Sequence, residues 1–465
     1  MSAQQDVLSV EMVVEATGGI LVQGDAQASF SGVSTDSRSI RTGELFFALH
    51  GDKFDGHRFI TEAVEKGGRG VVVKEEIRCI TDEAISMIQV PDTLRALGDL
   101  ANLWRKRHPI PLVAIVGSNG KTTTKEMVAA IIGKRYTVLK NPGNFNNLIG
   151  LPLTLLKMNT QDQVVVLEMG MNCKGEIGRL AHIAEPDLGV MINIGPVHLE
   201  GLGSIEGVME AKGELIEVMG EDQRLVFNAD DPRVVELSKR FRGATTSFGI
   251  KNPADWAATD INTMEDGMIS FQVHGPMGVL SISLKLMGGH QVYNALASAA
   301  VASHLGVGAE EVKEGLRTIQ SPPMRMELIT VGEGIKIIND AYNANPTSME
   351  SALRTLGDVR GERKIAVLGD MAELGDYTQQ AHREIGRWVK NRGVEFLFLV
   401  GEFAPYVVQG ATEAGMDGKT IIVGKDHQDL VHYLSRFLRR GDWVLIKGSR
   451  IMQMEKIIEG LKEAV

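Results

Sequence analysis

Gly117-Ser118-Asn119-Gly120-Lys121-Thr122-Thr123-Thr124 decides the fold of this chain, because two different periodicities meet there. Leu112-Val113-Ala114-Ile115-Val116 before it is a continuous apolar run of strand length, and Met127, Val128, Ile131 and Ile132 after it recur at helical spacing. A strand delivers a glycine turn, and the turn feeds a helix N-terminus. Unpaired N–H groups and the helix dipole make such a terminus an anion site. Gly117 and Gly120 let the backbone approach a polyphosphate, Lys121 neutralises terminal-phosphate charge, and the Thr122 hydroxyl suits Mg²⁺. The usual pattern is G-x-x-x-x-G-K-[ST], and here Ile115 stands where its first glycine belongs. The flanking strand and helix carry the nucleoside-triphosphate reading despite that gap.

A chain of 465 residues is too long for one core and predicts two or three domains. Net charge of −10, with no compensating basic tract, argues against nucleic acid as a partner. Arg105-Lys106-Arg107-His108 is the densest basic cluster and reads as a solvated helix end. Cys79 and Cys173 are too few for a disulfide framework or a zinc cage. No apolar stretch approaches membrane-spanning length, and the N-terminal residues lack the basic-then-apolar pattern of a secretory leader. The expectation is a cytoplasmic protein without membrane insertion, working as a monomer.

Three α/β units are expected. Residues 1–91 hold short strands such as Leu45–Leu49 and Gly70–Val73. Residues 92–323 open with a connecting helix over Asp92–Lys106, capped by Asp92, with Gly98 as an irregularity in its apolar stripe. Buried strand-like runs then alternate with helices at Leu112–Val116, Val164–Leu167, Leu188–Ile194 and Leu225–Asn228, which implies a parallel sheet. Residues 255–285 alternate instead with period two and predict an antiparallel hairpin or small sub-sheet. Ser321-Pro322-Pro323 reads as a boundary, and residues 324–465 repeat the βα rhythm as a Rossmann-like unit.

In open α/β sheets, ligands sit beyond the carboxyl ends of the strands. The run Val164–Leu167 ends in Glu168, a carboxylate beside the phosphate loop, and Leu188–Ile194 is followed by Gly195-Pro196-Val197-His198. Singly these are a capping residue and a loop histidine; together at adjacent strand ends they form a candidate metal site. Lys212 falls on the apolar stripe of a helix from Ser204 to Met219, four residues from Val208. A lysine there must snorkel, pair with Glu210 or Glu214, or lose its charge. An uncharged amine that reacts with CO₂ becomes a carbamate, an anion able to ligate Mg²⁺.

Taken in order, these residues resemble the Mur ligases, the ATP-dependent amide-forming family of peptidoglycan synthesis, across almost the whole chain. The family's shortened phosphate loop matches Gly117-Ser118-Asn119-Gly120-Lys121-Thr122-Thr123, and Glu168 and His198 fall where it places Mg²⁺ ligands. Lys212 matches the lysine carbamylated in relatives. Asn294, Arg325 and Asp340 match residues that approach ATP. The resemblance therefore implies ATP and two Mg²⁺ ions, with Lys121, Glu168, His198 and Lys212 catalytic. Val33-Ser34-Thr35-Asp36-Ser37-Arg38 is similar to a UDP-recognition motif, so Ser34, Thr35, Asp36, Ser37, Arg38, Asn146 and Asn147 are expected on the UDP-linked substrate.

The segments Asn144–Thr154, Asp340–Pro346 and Gly369–Gly375 favour the branch joining D-alanyl-D-alanine to a UDP-N-acetylmuramoyl-tripeptide. That resemblance implies UDP binding by residues 1–91, ATP binding by 92–323 and dipeptide binding by 324–465. Asn343, Asn345 and Asp370 are the candidates for the dipeptide. Another ligase of the superfamily, such as the diamino-acid-adding enzyme or folylpolyglutamate synthase, is the alternative, and a nucleotide-hydrolysing switch is the alternative from another class.

Overall fold

The run Leu112–Val116 forms a strand buried on both faces. Val113 and Ile115 pack with the helix Lys121–Ile132, while Leu112, Ala114 and Val116 pack with the helix Thr93–Arg107 on the opposite face. A two-sided burial of this kind explains why the strand reads as uninterrupted apolar sequence. In this computed structural model, which describes residues 7–51, 54–74, 82–264 and 267–464, the strand lies within a nine-stranded sheet. Cys79 lies outside the described residues, and Cys173 is exposed.

Strand order in this sheet is Val138–Lys140, Val164–Glu168, Leu112–Val116, Leu188–Met191, Arg224–Asn228, Ala244–Gly249, Trp256–Thr263, Met268–Gly275 and Gly278–Met287. The chain leaves the phosphate-loop strand to one side and returns to pair on the other, at Leu188–Met191. That reversal opens a crevice at the carboxyl end of Leu112–Val116, where ligands bind in open sheets. The expected antiparallel segment is real but is not a separate small sheet. Its strands extend the main sheet through the short parallel pairing of Phe248 with Trp256 and Gly249 with Ala257. Ile269, Phe271, Val273, Leu280, Ile282 and Leu284 carry the period-two pattern and bury one face in the same core as the phosphate-loop helix.

The Thr93–Arg107 helix is capped by the Asp92 carboxylate, which accepts from Arg95 N–H. Gly98 suits close packing, since a Cβ there would lie 2.7 Å from Ile183 Cδ1 on the neighbouring helix and that side chain would have to shift. The helix end is not solvated as expected. Arg105 is buried, donating to the carbonyls of Ala184 and His108 and to the Asp187 carboxylate at 3.0 Å. Only Lys106 and Arg107 face outward, paired with Glu185 and Glu15. A charge cluster read as a sequence average hides the one member whose position on the helix faces the core.

The N-terminal part forms a five-stranded sheet of Ile20–Gln23, Ser86–Gln89, Gly70–Val73, Leu45–Phe47 and Val33–Ser34. The C-terminal part forms a six-stranded sheet ordered Glu327–Val331, Ile335–Asp340, Asp442–Lys447, Arg363–Leu368, Phe396–Leu399 and Ile421–Val423. Its first strand pairs antiparallel and the rest are parallel. No helix among the described residues is long and apolar enough to cross a membrane.

Candidate active site

The carboxyl ends of the central and C-terminal sheets face one cavity of about 590 Å³. Gly120 caps the helix Lys121–Ile132 with φ at +83°, a left-handed conformation that favours glycine. A Cβ at this position would also stand 2.5 Å from Asn294 Oδ1. The loop is held in place before any ligand arrives. Ser118 Oγ donates to Gly195 O and accepts from Gly195 N–H, and Asn119 N–H donates to Asn193 Oδ1 at 2.9 Å. The Ser118 hydroxyl is thereby engaged by protein, and its N–H donates to Asn193 O at 3.0 Å, so this residue braces the loop. Thr122 and Thr123 are buried in the cavity wall. Lys121 Nζ donates to Gly117 O at 2.7 Å. Burial lowers its pKa, opposed by Glu168 and reinforced by Arg325.

Glu168 is buried, and its Oε1 accepts from Asn146 Nδ2 at 2.8 Å. Its Oε2 has no hydrogen-bond partner, and Lys125 Nζ stands 3.8 Å away. A buried carboxylate oxygen without a donor is costly, and it is the ligand type that a hard cation selects. The donor set therefore fits Mg²⁺. Lys125, which the sequence reading passed over, is fully buried and donates to the carbonyls of Asn141 and Gly143. It fixes the turn carrying Asn146. Asn147 Oδ1 accepts from Ile149 and Gly150 N–H, so its carbonyl is spent on starting the next helix.

Lys212 lies on the helix Ile205–Val218, is 3% exposed and lines the cavity. Neither acid offered as its partner reaches it. Glu210 pairs with Arg240, and Glu214 accepts from the N–H groups of Gly175 and Gly178. Burial first, and the Lys121 charge second, push its pKa well below that of an ordinary lysine. The fold thus disfavours the ammonium form of Lys212.

His198 Nδ1 meets Glu373 Oε2 at 2.5 Å, leaving Nε2 as the nitrogen free for a ligand. His198 and Glu373 both adopt positive φ, +53° and +63°, a cost that side-chain-bearing residues incur where surrounding structure demands it. Glu373 comes from the C-terminal part and was missed. Its segment was noticed in the sequence, but nothing local marks which side chain crosses to another sheet.

Asp340 lines the cavity and accepts from Lys447 Nζ at 2.5 Å and from Met326 N–H at 3.0 Å. Lys447, also missed, is 1% exposed and ends an apolar strand. Arg325 already lines the same cavity as Lys121, its guanidinium 3.9 Å above the Tyr342 ring. Asn294 Oδ1 accepts from Thr124 Oγ1 and its Nδ2 donates to Gln291. Asn343 and Asn345 line the cavity, and Asn345 caps the helix Pro346–Asp358 while exchanging amide hydrogen bonds with Asn119.

Six of the residues expected on the UDP-linked substrate or the dipeptide lie outside this cavity. Asp370 does not line it; its buried carboxylate accepts from Glu402 and Phe403 N–H at a helix start. Ser34, Thr35, Asp36, Ser37 and Arg38 lie apart from it in the N-terminal part. There Arg38 grips Asp36 with two donors, holding that carboxyl at about 2, and Ser37 Oγ donates to Glu62.

Family models for the Mur ligase family catalytic domain, the Mur ligase middle domain and the Mur ligase glutamate ligase domain match residues 29–105, 115–302 and 324–450. A UDP-N-acetylmuramoyl-tripeptide–D-alanyl-D-alanine ligase of Bacillus subtilis is 36% identical over 458 residues, covering 98% of each chain. The chain belongs to the Mur ligase family. The Escherichia coli protein of the same description is 32% identical, covering 94% of this ligase and 95% of its own length. A structure of MurF from Acinetobacter baumannii superposes with a TM-score of 0.91 at 31% identity, covering 99% of both chains. A MurF ligase from Thermotoga maritima in complex with ADP gives 0.83 at 29% identity, covering 93% of this chain and 97% of that one.

In this Mur ligase, His290 joins the central and C-terminal parts, its Nδ1 2.8 Å from Ser351 Oγ. Burial holds it neutral, with a pKa lowered from 6.5 to about 4; Asp340 opposes, and Lys447 and Arg354 assist. A folded-state pKa below the unfolded one means the fold binds fewer protons between these values. The stability is therefore complete above pH 6.5 and is lost as pH falls towards 4, by at most about 3 kcal/mol. His290→Gln should flatten the Tm-against-pH curve across that window; an unchanged slope would remove His290 from the acid response.

Proposed function

We propose that this ligase joins D-alanyl-D-alanine to the terminal carboxylate of UDP-N-acetylmuramoyl-tripeptide, converting ATP to ADP and phosphate. The relatives of that description support the substrates, and the ADP-bound neighbour supports the nucleotide. The single observation that carries the chemistry is one cavity lined by a phosphate loop, an orphaned carboxylate and an unpaired buried lysine. We assign residues 1–91 to the UDP moiety, 92–323 to ATP and 324–465 to the dipeptide. The protein acts as a cytoplasmic monomer.

A tripeptide carboxylate oxygen attacks the γ-phosphorus of ATP, its bond to the β-bridging oxygen breaks, and an acyl phosphate and ADP result. The neutral amine of D-alanyl-D-alanine then adds to the acyl carbon, phosphate leaves with the electron pair of the C–O bond, and the nitrogen releases a proton to the departing phosphate or to solvent. Two anions meet in the first step, so charge neutralisation dominates it. Lys121 and Arg325 supply fixed positive charge. Thr122 and Glu168 would hold one Mg²⁺, and His198 with carbamylated Lys212 a second; bound Mg²⁺ supplies further neutralisation of the phosphate oxygens. The carbamate forms when the neutral Lys212 amine adds to CO₂ and releases a proton. Water exclusion by the C-terminal wall protects the acyl phosphate from hydrolysis.

Phosphate release should require UDP-N-acetylmuramoyl-tripeptide and D-alanyl-D-alanine together, with little release when either is omitted. Release from ATP alone at the same rate would instead identify a nucleotide-hydrolysing switch, and a preference for another amine would move the chain to a sibling ligase.

A further inference from the structure

We infer that the turn Lys447-Gly448-Ser449-Arg450 receives the carboxylate of the incoming dipeptide, with the Ser449 hydroxyl and the Arg450 guanidinium as donors. This assignment rests on the proposed function and names the residues that read its second substrate. The turn follows the strand Asp442–Lys447 at the carboxyl edge of the C-terminal sheet, where it lines the cavity.

Ser449 carries the strongest signal. It is 2% exposed, and its hydroxyl is buried without a hydrogen-bond partner. An unsatisfied buried hydroxyl weakens a fold, so its presence calls for a ligand or a functional reason. Its backbone is anchored, with N–H donating to Asp370 O and the carbonyl accepting from Met452 N–H, both at 2.9 Å. The hydroxyl alone is left to turn towards a ligand. Gly448 allows the anchoring, because a Cβ there would stand 3.2 Å from Gly369 Cα.

Two charged groups at this turn are already committed. Asp370 is held by two backbone amides, and Lys447 by Asp340 and the Asn343 carbonyl. Arg450 donates Nη1 to Glu455 at 2.7 Å and touches Met324 Sδ, which leaves its Nε and Nη2 donors for an anion. Ala344, Ala372, Leu374 and the exposed Ile451 line the same side of the cavity. Small apolar surface beside a hydroxyl and a guanidinium matches a short peptide with two methyl groups and one carboxylate.

The test compares D-alanyl-D-alanine with D-alanyl-D-alaninamide, which lacks the carboxylate, in the full-length enzyme. The wild type should show a KM about 10- to 100-fold higher for the amide, as expected when a charged hydrogen-bond partner is lost. Ser449→Ala and Arg450→Gln should each raise KM for the dipeptide and shrink its advantage over the amide, leaving KM for ATP and for the UDP-linked substrate at wild-type values. The Tm of Ser449→Ala should not fall, because the lost hydroxyl has no partner. Variants that keep the full wild-type preference for the acid, or a wild type without that preference, would overturn the assignment alone. Phosphate release indifferent to any dipeptide would overturn the proposed function together with it.

Discussion

Lys212→Ala is expected to lower kcat on the order of a thousandfold, the scale associated with losing a preorganised charge at a phosphoryl-transfer site. Short carboxylic acids should restore part of the rate, because a small acid can occupy the space vacated by a carbamate. The expectation follows from an amine that is buried, lacks an acidic partner and is held well below its usual pKa. Such a group is a poor structural choice. With the fold disfavouring the ammonium, the folded chain binds fewer protons than the unfolded chain below pH 10.5, and the penalty grows as pH falls from that value. In CO₂-stripped, metal-free protein at pH 7, Lys212→Met should therefore raise Tm while destroying activity. An active alanine variant, or a methionine variant that melts earlier than wild type, would remove Lys212 from the mechanism.

Lys121→Ala should abolish turnover, again by about a thousandfold or more, while affinity for the UDP-linked substrate stays near wild type. Lys121 is the phosphate-loop cation, and it shares the cavity with Glu168 and Arg325. The residues expected to hold the UDP moiety, Ser34 to Arg38, lie apart from it. Calorimetric titration of the variant with the UDP-linked substrate checks the separation. Equal loss of binding and turnover would show that the two ligands depend on one another through this lysine.

Local patterns that report backbone geometry were legible before the structure. The phosphate loop, the Asp92 cap and the buried runs all appear as elements, since apolar period and capping chemistry act over a few residues. The stripe position of Lys212 was legible for the same reason. Short edge strands were not: Val138–Lys140 pairs with Val164–Val166 and Glu327–Val331 forms a hairpin with Ile335–Asp340, and both carry weak patterns of their own. Partners across the cavity were harder still. Glu373 reaches His198 across 175 positions and Lys447 reaches Asp340 across 107, and no periodicity records such a meeting. Asp370 shows the same limit from the other side, a polar residue after a strand whose carboxylate accepts from the amides of Glu402 and Phe403, more than thirty positions away.

The rim contacts between the two walls of the cavity are mostly polar: Asn119 with Asn345, His198 with Glu373, and His290 with Ser351. Water replaces such bonds at small net cost, so the walls behave as a jaw whose grip is set by its contents more than by its own rim. A molecule that bridges Lys121 to the Arg450 side would draw the jaw shut and dissociate slowly. One that seats on a single wall forgoes this, and chemists designing inhibitors against the site would do better with tethered two-wall compounds than with tighter nucleotide mimics.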